Sequence, residues 1–521
     1  MHPGVLRLIG YPFAPLSLFA GGEGLSLPSN AGFFVVLALF ELGQEPGLLA
    51  LFLEALERVF EGLVGLDDDL GHSAPLQVAT PWINNNYIPR DLPPGNRWRP
   101  SGRLTPLITP AGALPVYTVV PFVAMLLAIA ICPLWVPRWW ESNRNKMVVS
   151  AALGLPILVL YMIRRPRALG AMAEEYLSFI VLLAGLYVIA GGILLRGDLQ
   201  ATPLTNTAFL ALGSVLASLV GTTGASMLLI RPLLQTNRER THVRHTVIFF
   251  IFLVSNIGGM LTPLGDPPLF LGHLQGVPFT WTFRLWPHWA LQVVVLLALY
   301  FVWDTRQYTR EPIAALRRDR TQIEPLRLRG ALNVLCLGLV VLAVAFLREP
   351  WREAGIVVLA AVSLWRTPRA VRRANGFTAY PIAEVAVLFF GIFLTMIPAL
   401  ELLRQRGGEL GVRAPAQFFW ASGILSSFLD NAPTYLVFLA LGQGLGLGSE
   451  VVDVPHAILA AISVGAVSMG ANSYIGNAPN FMVKSIAEEQ GVQMPSFFGY
   501  MLYSGAVLMP LFAIVTVVFF R

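Results

Sequence analysis

The sequence predicts an all-α polytopic membrane protein with inverted structural repeats, each holding a re-entrant helical hairpin and a broken transmembrane helix. Three observations carry this expectation. The 521 residues are 55% hydrophobic and 13% charged. Apolar runs near 115–136, 146–163, 172–195, 285–303, 330–347, 354–366, 380–403 and 498–520 reach or approach the roughly 20 residues of a bilayer crossing. Two further apolar stretches break at Gly/Pro-rich polar sequence, SNIGGMLTPLGDPP (255–268) and MGANSYIGNAPN (469–480). Each break follows a shorter apolar segment that bends around small polar residues, LVGTTGAS (219–226) and SSFLDNAPT (426–434). Unwound backbone in a bilayer leaves N–H and C=O groups unpaired unless protein, water or a ligand satisfies them. Paired interruptions at corresponding places in two halves therefore point to a midplane site of a secondary transporter.

Along the chain, residues 1–114 read as an N-terminal extension. Arg7 and the apolar stretch 9–20 give it a signal-like start, and the apolar stretch 31–53, a candidate for partial insertion, is interrupted by Glu41, Glu45 and Pro46. Residues 115–521 form the transport domain: repeat 1 over 172–284, connector spans and a basic cytoplasmic loop over 285–379, and repeat 2 over 380–521. Glu174 and Glu175 open one lead-in helix and Glu384 the other, as helix-start acids. With the arginine-rich loop 305–330 cytoplasmic, the first hairpin opens to the cytoplasm and the second outside, so the repeats are inverted. Arg164, Arg165 and Arg167, and then Arg404, Arg406 and Arg413, run against this orientation.

The net charge of +6 comes from arginines in short loops between apolar runs and is an orientation signal, not a nucleic-acid footprint. Cys132 and Cys336 supply neither a disulfide framework nor a Cys-rich metal site. The expected partners are the lipid bilayer, a small cation or carboxylate substrate, and a second copy in a homodimer; no nucleic acid and no enzyme activity are expected.

The residues able to carry ion chemistry lie at the two breaks and two hairpins. Gly265, Pro267 and Pro268 prevent a continuous helix around Asp266, so its carboxylate is expected to line a cavity with freed carbonyls. Ser255, Asn256, Gly258, Gly259 and Thr262 form its approach, and Asn472, Ser473, Gly476, Asn477 and Asn480 the counterpart without a carboxylate. Asp430, with Ser427, Asn431 and Thr434, offers the oxygen-rich surroundings that hard cations prefer. The first hairpin tip presents Thr222, Thr223 and Ser226 with no acid. Asp266, Asp430, Asn256 and Asn431 are the sodium candidates. Two plainer readings compete: Asp266 caps a helix at the bilayer edge, and Asp430 satisfies its own turn. Two carboxylates in one buried site cannot both ionise cheaply, and such a group can trade a proton for a sodium ion. Sodium ion and proton are thus the expected coupling ions, with no other cofactor.

NIGGMLTPLGD and SSFLDNAPT together resemble motifs of the ion transporter superfamily, which includes bacterial sodium/proton antiporters, citrate and dicarboxylate transporters and arsenite permeases. The resemblance spans roughly residues 115–521. It implies an inverted-repeat fold, a site between hairpin tips and broken helices, often a dimer, and a multi-pass protein of a prokaryotic cytoplasmic (inner) membrane. The first hairpin departs from the antiporter pattern, because 221–226 lacks the Asp-Asn pair. The carboxylate transporters resemble another arrangement, with Ser-Asn-Thr at both tips. Since a carboxylate beside an anionic substrate repels it, sodium/proton exchange ranks above sodium-coupled citrate or dicarboxylate uptake and oxyanion permeation. An aspartyl intramembrane protease is disfavoured: Pro263 and Leu429 stand where its Gly-x-Gly-Asp and Tyr-Asp motifs need Gly and Tyr. Repeated hairpins likewise suit a carrier better than a passive channel.

Overall fold

Backbone polar groups in hydrocarbon must pair within their own segment, so the apolar runs fold as helices. The computed structural model describes residues 115–521, apart from Gln322 and Ser449. The readings made for residues 1–114 lie outside the described residues. Among the described residues, eight helical stretches are long and apolar enough to cross a membrane.

The helices leading to the first hairpin are α1 (Val120–Trp135), α2 (Asn143–Arg164) and α3 (Pro166–Ala190). The run expected to continue to 195 stops at Ala190. Here Gly192 lies against Asn333, whose Nδ2 donates to the Gly192 carbonyl at 2.9 Å, and a short strand β1 (Leu194–Asp198) follows. The first hairpin is α4 (Pro203–Val220) and α5 (Thr222–Thr236). The first broken helix is α6 (Arg244–Leu253), a 3-10 turn over Ile257–Leu261, and α7 (Pro267–Leu274).

α8 (Trp286–Tyr308) enters the basic segment, which is ordered rather than a simple loop: it forms α9 (Ile313–Thr321) and strand β2 (Glu324–Arg329), antiparallel to β1. Two shorter helices follow, α10 (Ala331–Phe346) and α11 (Trp351–Arg366), then α12 (Arg369–Ala374).

The second half repeats the order of elements. α13 (Tyr380–Arg406) leads to the hairpin α14 (Pro415–Phe428) and α15 (Asn431–Gly444). Then come α16 (His456–Met469), a 3-10 turn at Gly470–Asn472, α17 (Ala478–Glu489) and the final span α18 (Phe497–Phe519).

Packing crosses between the halves. α7 lies against α15, and α17 against α5, so each half's hairpin meets the other half's broken helix. α13 packs on α2 and α3, fastened by Lys146–Glu384 at 2.5 Å and Arg165–Glu401 at 2.6 Å. Glu384 is therefore an ion-pair partner, not merely an acid at a helix start. One apolar core runs from α1 to α18.

Candidate functional site

Four helices begin at the same place. Gly221, with φ of +84°, reverses the chain in one residue, and α5 starts at Thr222. α15 starts at Asn431, capped by Asp430, whose carboxylate accepts the Ala432 N–H at 2.9 Å. α7 restarts after Asp266 and α17 after Asn477, each with proline in its first turn, where a missing N–H costs nothing.

These ends converge on one carboxylate. Asp266, 1% exposed, accepts from Thr222 Oγ1 at 2.9 Å and Asn477 Nδ2 at 3.0 Å on Oδ1, and from Asn431 Nδ2 at 2.6 Å on Oδ2. The donors come from both hairpins and from the opposite broken helix. Helix N-termini carry partial positive charge, so four of them create a site that favours anionic groups.

The supporting backbone repeats between halves. Ser218 precedes Thr222 by four residues, as Ser427 precedes Asn431; Thr262 precedes Asp266 by four, as Ser473 precedes Asn477. Ser218 Oγ donates to the Gly258 carbonyl at 2.5 Å, and the Thr262 hydroxyl donates to the Ser218 carbonyl. In the second half Ser427 Oγ donates to the Met469 carbonyl at 3.1 Å, and Ser473 Oγ to the Ser427 carbonyl at 2.5 Å. Each break also crosses itself at paired glycines. A Cβ on Gly265 would lie 2.1 Å from the Gly259 carbonyl oxygen, and one on Gly476 2.5 Å from that of Gly470. Gly259 serves by this close approach and by packing on Thr222, rather than as a ligand.

The broken helices are stitched together. Asn256 Nδ2 donates to Asn480 Oδ1 at 2.7 Å, Asn480 Nδ2 to the Gly470 and Ser473 carbonyls at 2.9 Å each, and Asn477 Nδ2 also reaches the Ser255 carbonyl at 3.1 Å. Ser226 and Ser255 share a hydroxyl bond of 2.9 Å. Asn472 Nδ2 donates to Ser427 Oγ at 2.9 Å. Within this cluster the buried amide oxygens Asn256 Oδ1, Asn431 Oδ1 and Asn472 Oδ1 have no hydrogen-bond donor among the described residues. Unpaired acceptors in a buried site are what a hard cation would satisfy.

Most of the predicted residues thus meet around Asp266, but three stand apart. Asp430 makes no hydrogen bond to Asp266; its carboxylate caps its own turn, as the plainer reading held, although the two acids lie within Coulombic reach. Thr434 serves the same turn, its hydroxyl donating to the Asp430 carbonyl at 2.9 Å. Thr223 is half-buried on the first turn of α5, with no hydrogen bond to the carboxylate. Asp266 does cap α7 by position, yet it does so in the buried centre and not at an edge. The motif reading placed Asn480 in the second break but left Ser218 out, although the shared four-residue spacing made Ser218 detectable.

No curated protein matches this chain. A family model described as "Putative citrate transport" matches residues 111–520. That match takes in all eight spans found among the described residues, both hairpins and the whole cluster around Asp266, and the chain belongs to this citrate transport family.

Proposed function

We propose that this protein is a cation-coupled carrier of citrate-class polycarboxylates, with Asp266 binding the coupling cation. The observation that supports it most is the convergence of four helix N-termini on a single carboxylate. The dipole ends suit a substrate with several negative charges. Asp266 alone would repel such a substrate, so a cation belongs between them: a proton, a sodium ion, or a metal ion carried with the citrate. The unpaired oxygen of Asn431, whose amide already bonds Asp266, offers that cation a further ligand. The repeated hairpin and broken-helix order favours inverted repeats that expose this site to each side in turn.

Sodium/proton exchange without an organic anion rested on two carboxylates sharing one site. The use of Asp430 in its own turn weakens that basis. The test is uptake of labelled citrate into proteoliposomes under imposed proton, sodium and magnesium gradients, with internal pH recorded in parallel. Saturable uptake driven by one of these cations and lost in Asp266→Asn supports the proposal. A sodium-driven pH change with no citrate entry would overturn it in favour of exchange.

A further inference from the structure

The segment between α8 and α10 sorts its charges. Both buried acids face inward and are fully engaged: Glu311 accepts the Thr241 and His242 N–H groups at 2.9 and 2.8 Å, and Asp319 accepts the Ala201 N–H at 3.0 Å. The arginines face outward. Arg317 and Arg318 on α9 and Arg327 and Arg329 on β2 are exposed, and their guanidinium groups form no ion pair or hydrogen bond among the described residues. Burying the acids leaves the outer surface strongly cationic, with Glu324 as the exposed acid of β2.

A second observation comes from the strand pairing. Arg196 on β1 stands directly opposite Arg327 on β2, and both are exposed. Like charges directly opposite each other destabilise a strand pair unless an anion lies between them. Exposed apolar side chains lie beside these arginines: Ile313 is 72% exposed and Ile323, in register with the Arg327 face of β2, is 52% exposed. A surface meant only for water would not present them. The segment joins the span α8 to the shorter apolar helix α10, which places it at the bilayer surface, where apolar groups can enter the headgroup region while guanidinium groups reach phosphates.

We infer that α9 and the β1–β2 ribbon form a docking surface for anionic phospholipid headgroups, with Arg196, Arg317, Arg318 and Arg327 pairing to lipid phosphates. Guanidinium groups match phosphate oxygens in a two-pronged geometry, and basic segments beside a membrane bind anionic lipids electrostatically. This surface is separate from the Asp266 site and does not depend on what that site carries.

The test uses the full chain in neutral detergent, reading the thermal unfolding midpoint against short-chain phosphatidylglycerol, phosphatidylcholine or inorganic phosphate. The expected result is a rise of about 3 °C with phosphatidylglycerol alone. It should disappear in high salt and in R196Q/R317Q/R318Q/R327Q, and shrink without vanishing when the same four residues become lysine, which keeps the charge but not the fork. A rise that survives in the glutamine variant, that phosphate or phosphatidylcholine reproduces, or that is lost in a folded lysine variant would overturn the inference.

Discussion

Asn477 and Asp266 occupy equivalent positions in the two halves and are hydrogen-bonded to each other, Nδ2 to Oδ1 at 3.0 Å. Each ends an unwound segment and begins a helix. An amide in one half thus meets a carboxylate in the other, so two matched positions carry different chemistry.

Asp266→Asn should reduce transport roughly 10- to 100-fold, the consequence of losing a charge-assisted contact. Three donors would then face a side chain that itself carries an N–H₂ group. Asp430→Asn should retain most transport, because asparagine also caps a helix. Asp430→Ala should instead cost about 1 kcal/mol of stability. Proteoliposome uptake and thermal unfolding of the three variants check this; equal loss of transport in Asp266→Asn and Asp430→Asn would return both acids to one shared site.

Gly265→Ala should prevent the first break from closing, because the new methyl would meet the Gly259 carbonyl oxygen at 2.1 Å, backbone against backbone. Yield of monodisperse protein should fall sharply. Gly338→Ala, where nothing lies within 4 Å, should be tolerated and serves as the control.

Asn256 and Asn480 should be energetically coupled, since one amide donates to the other at 2.7 Å across 224 residues of sequence. A double-mutant cycle with alanine at each position, read by thermal unfolding, should give a coupling of about 0.5–3 kcal/mol. Additive effects would show that the two breaks are independent.

Burial alone would raise the Glu311 carboxyl, but the Thr241 and His242 N–H groups and then Arg240 hold it below the usual carboxylate range. Its contribution to stability is therefore present above the unfolded value, about 4.3, and is lost as pH falls through the lower folded value. Glu311→Gln should be less stable than the native protein at neutral pH, by about 1–3 kcal/mol. The gap should narrow below about pH 4. Unfolding midpoints of both proteins across pH 3–8 check the prediction.

The sequence announced the breaks because glycine and proline interrupt apolar runs there, and it announced Asp266 because an acid in such a run is costly. At Asp430 it left two readings open: an aspartate before Asn-Ala-Pro reads equally as an ion ligand and as a helix cap, and the bond from the Ala432 N–H shows the cap. The end of α3 was misplaced: residues 191–195 are as apolar as a span, but close approach to Asn333 at Gly192 stops the helix. Contacts between distant segments, such as Asn256 with Asn480, leave no local pattern in the chain.

The glycine crossings have a mechanical consequence. Gly259 against Gly265 and Gly470 against Gly476 leave no slack where the backbone crosses itself. Such points act as rivets, not springs. Any displacement has to be carried by whole helices turning about them, and the spacing of the groups around Asp266 travels with the rivets. On the proposed carrier reading, selectivity is set once, on folding, and the cycle changes only the side from which the site is reached.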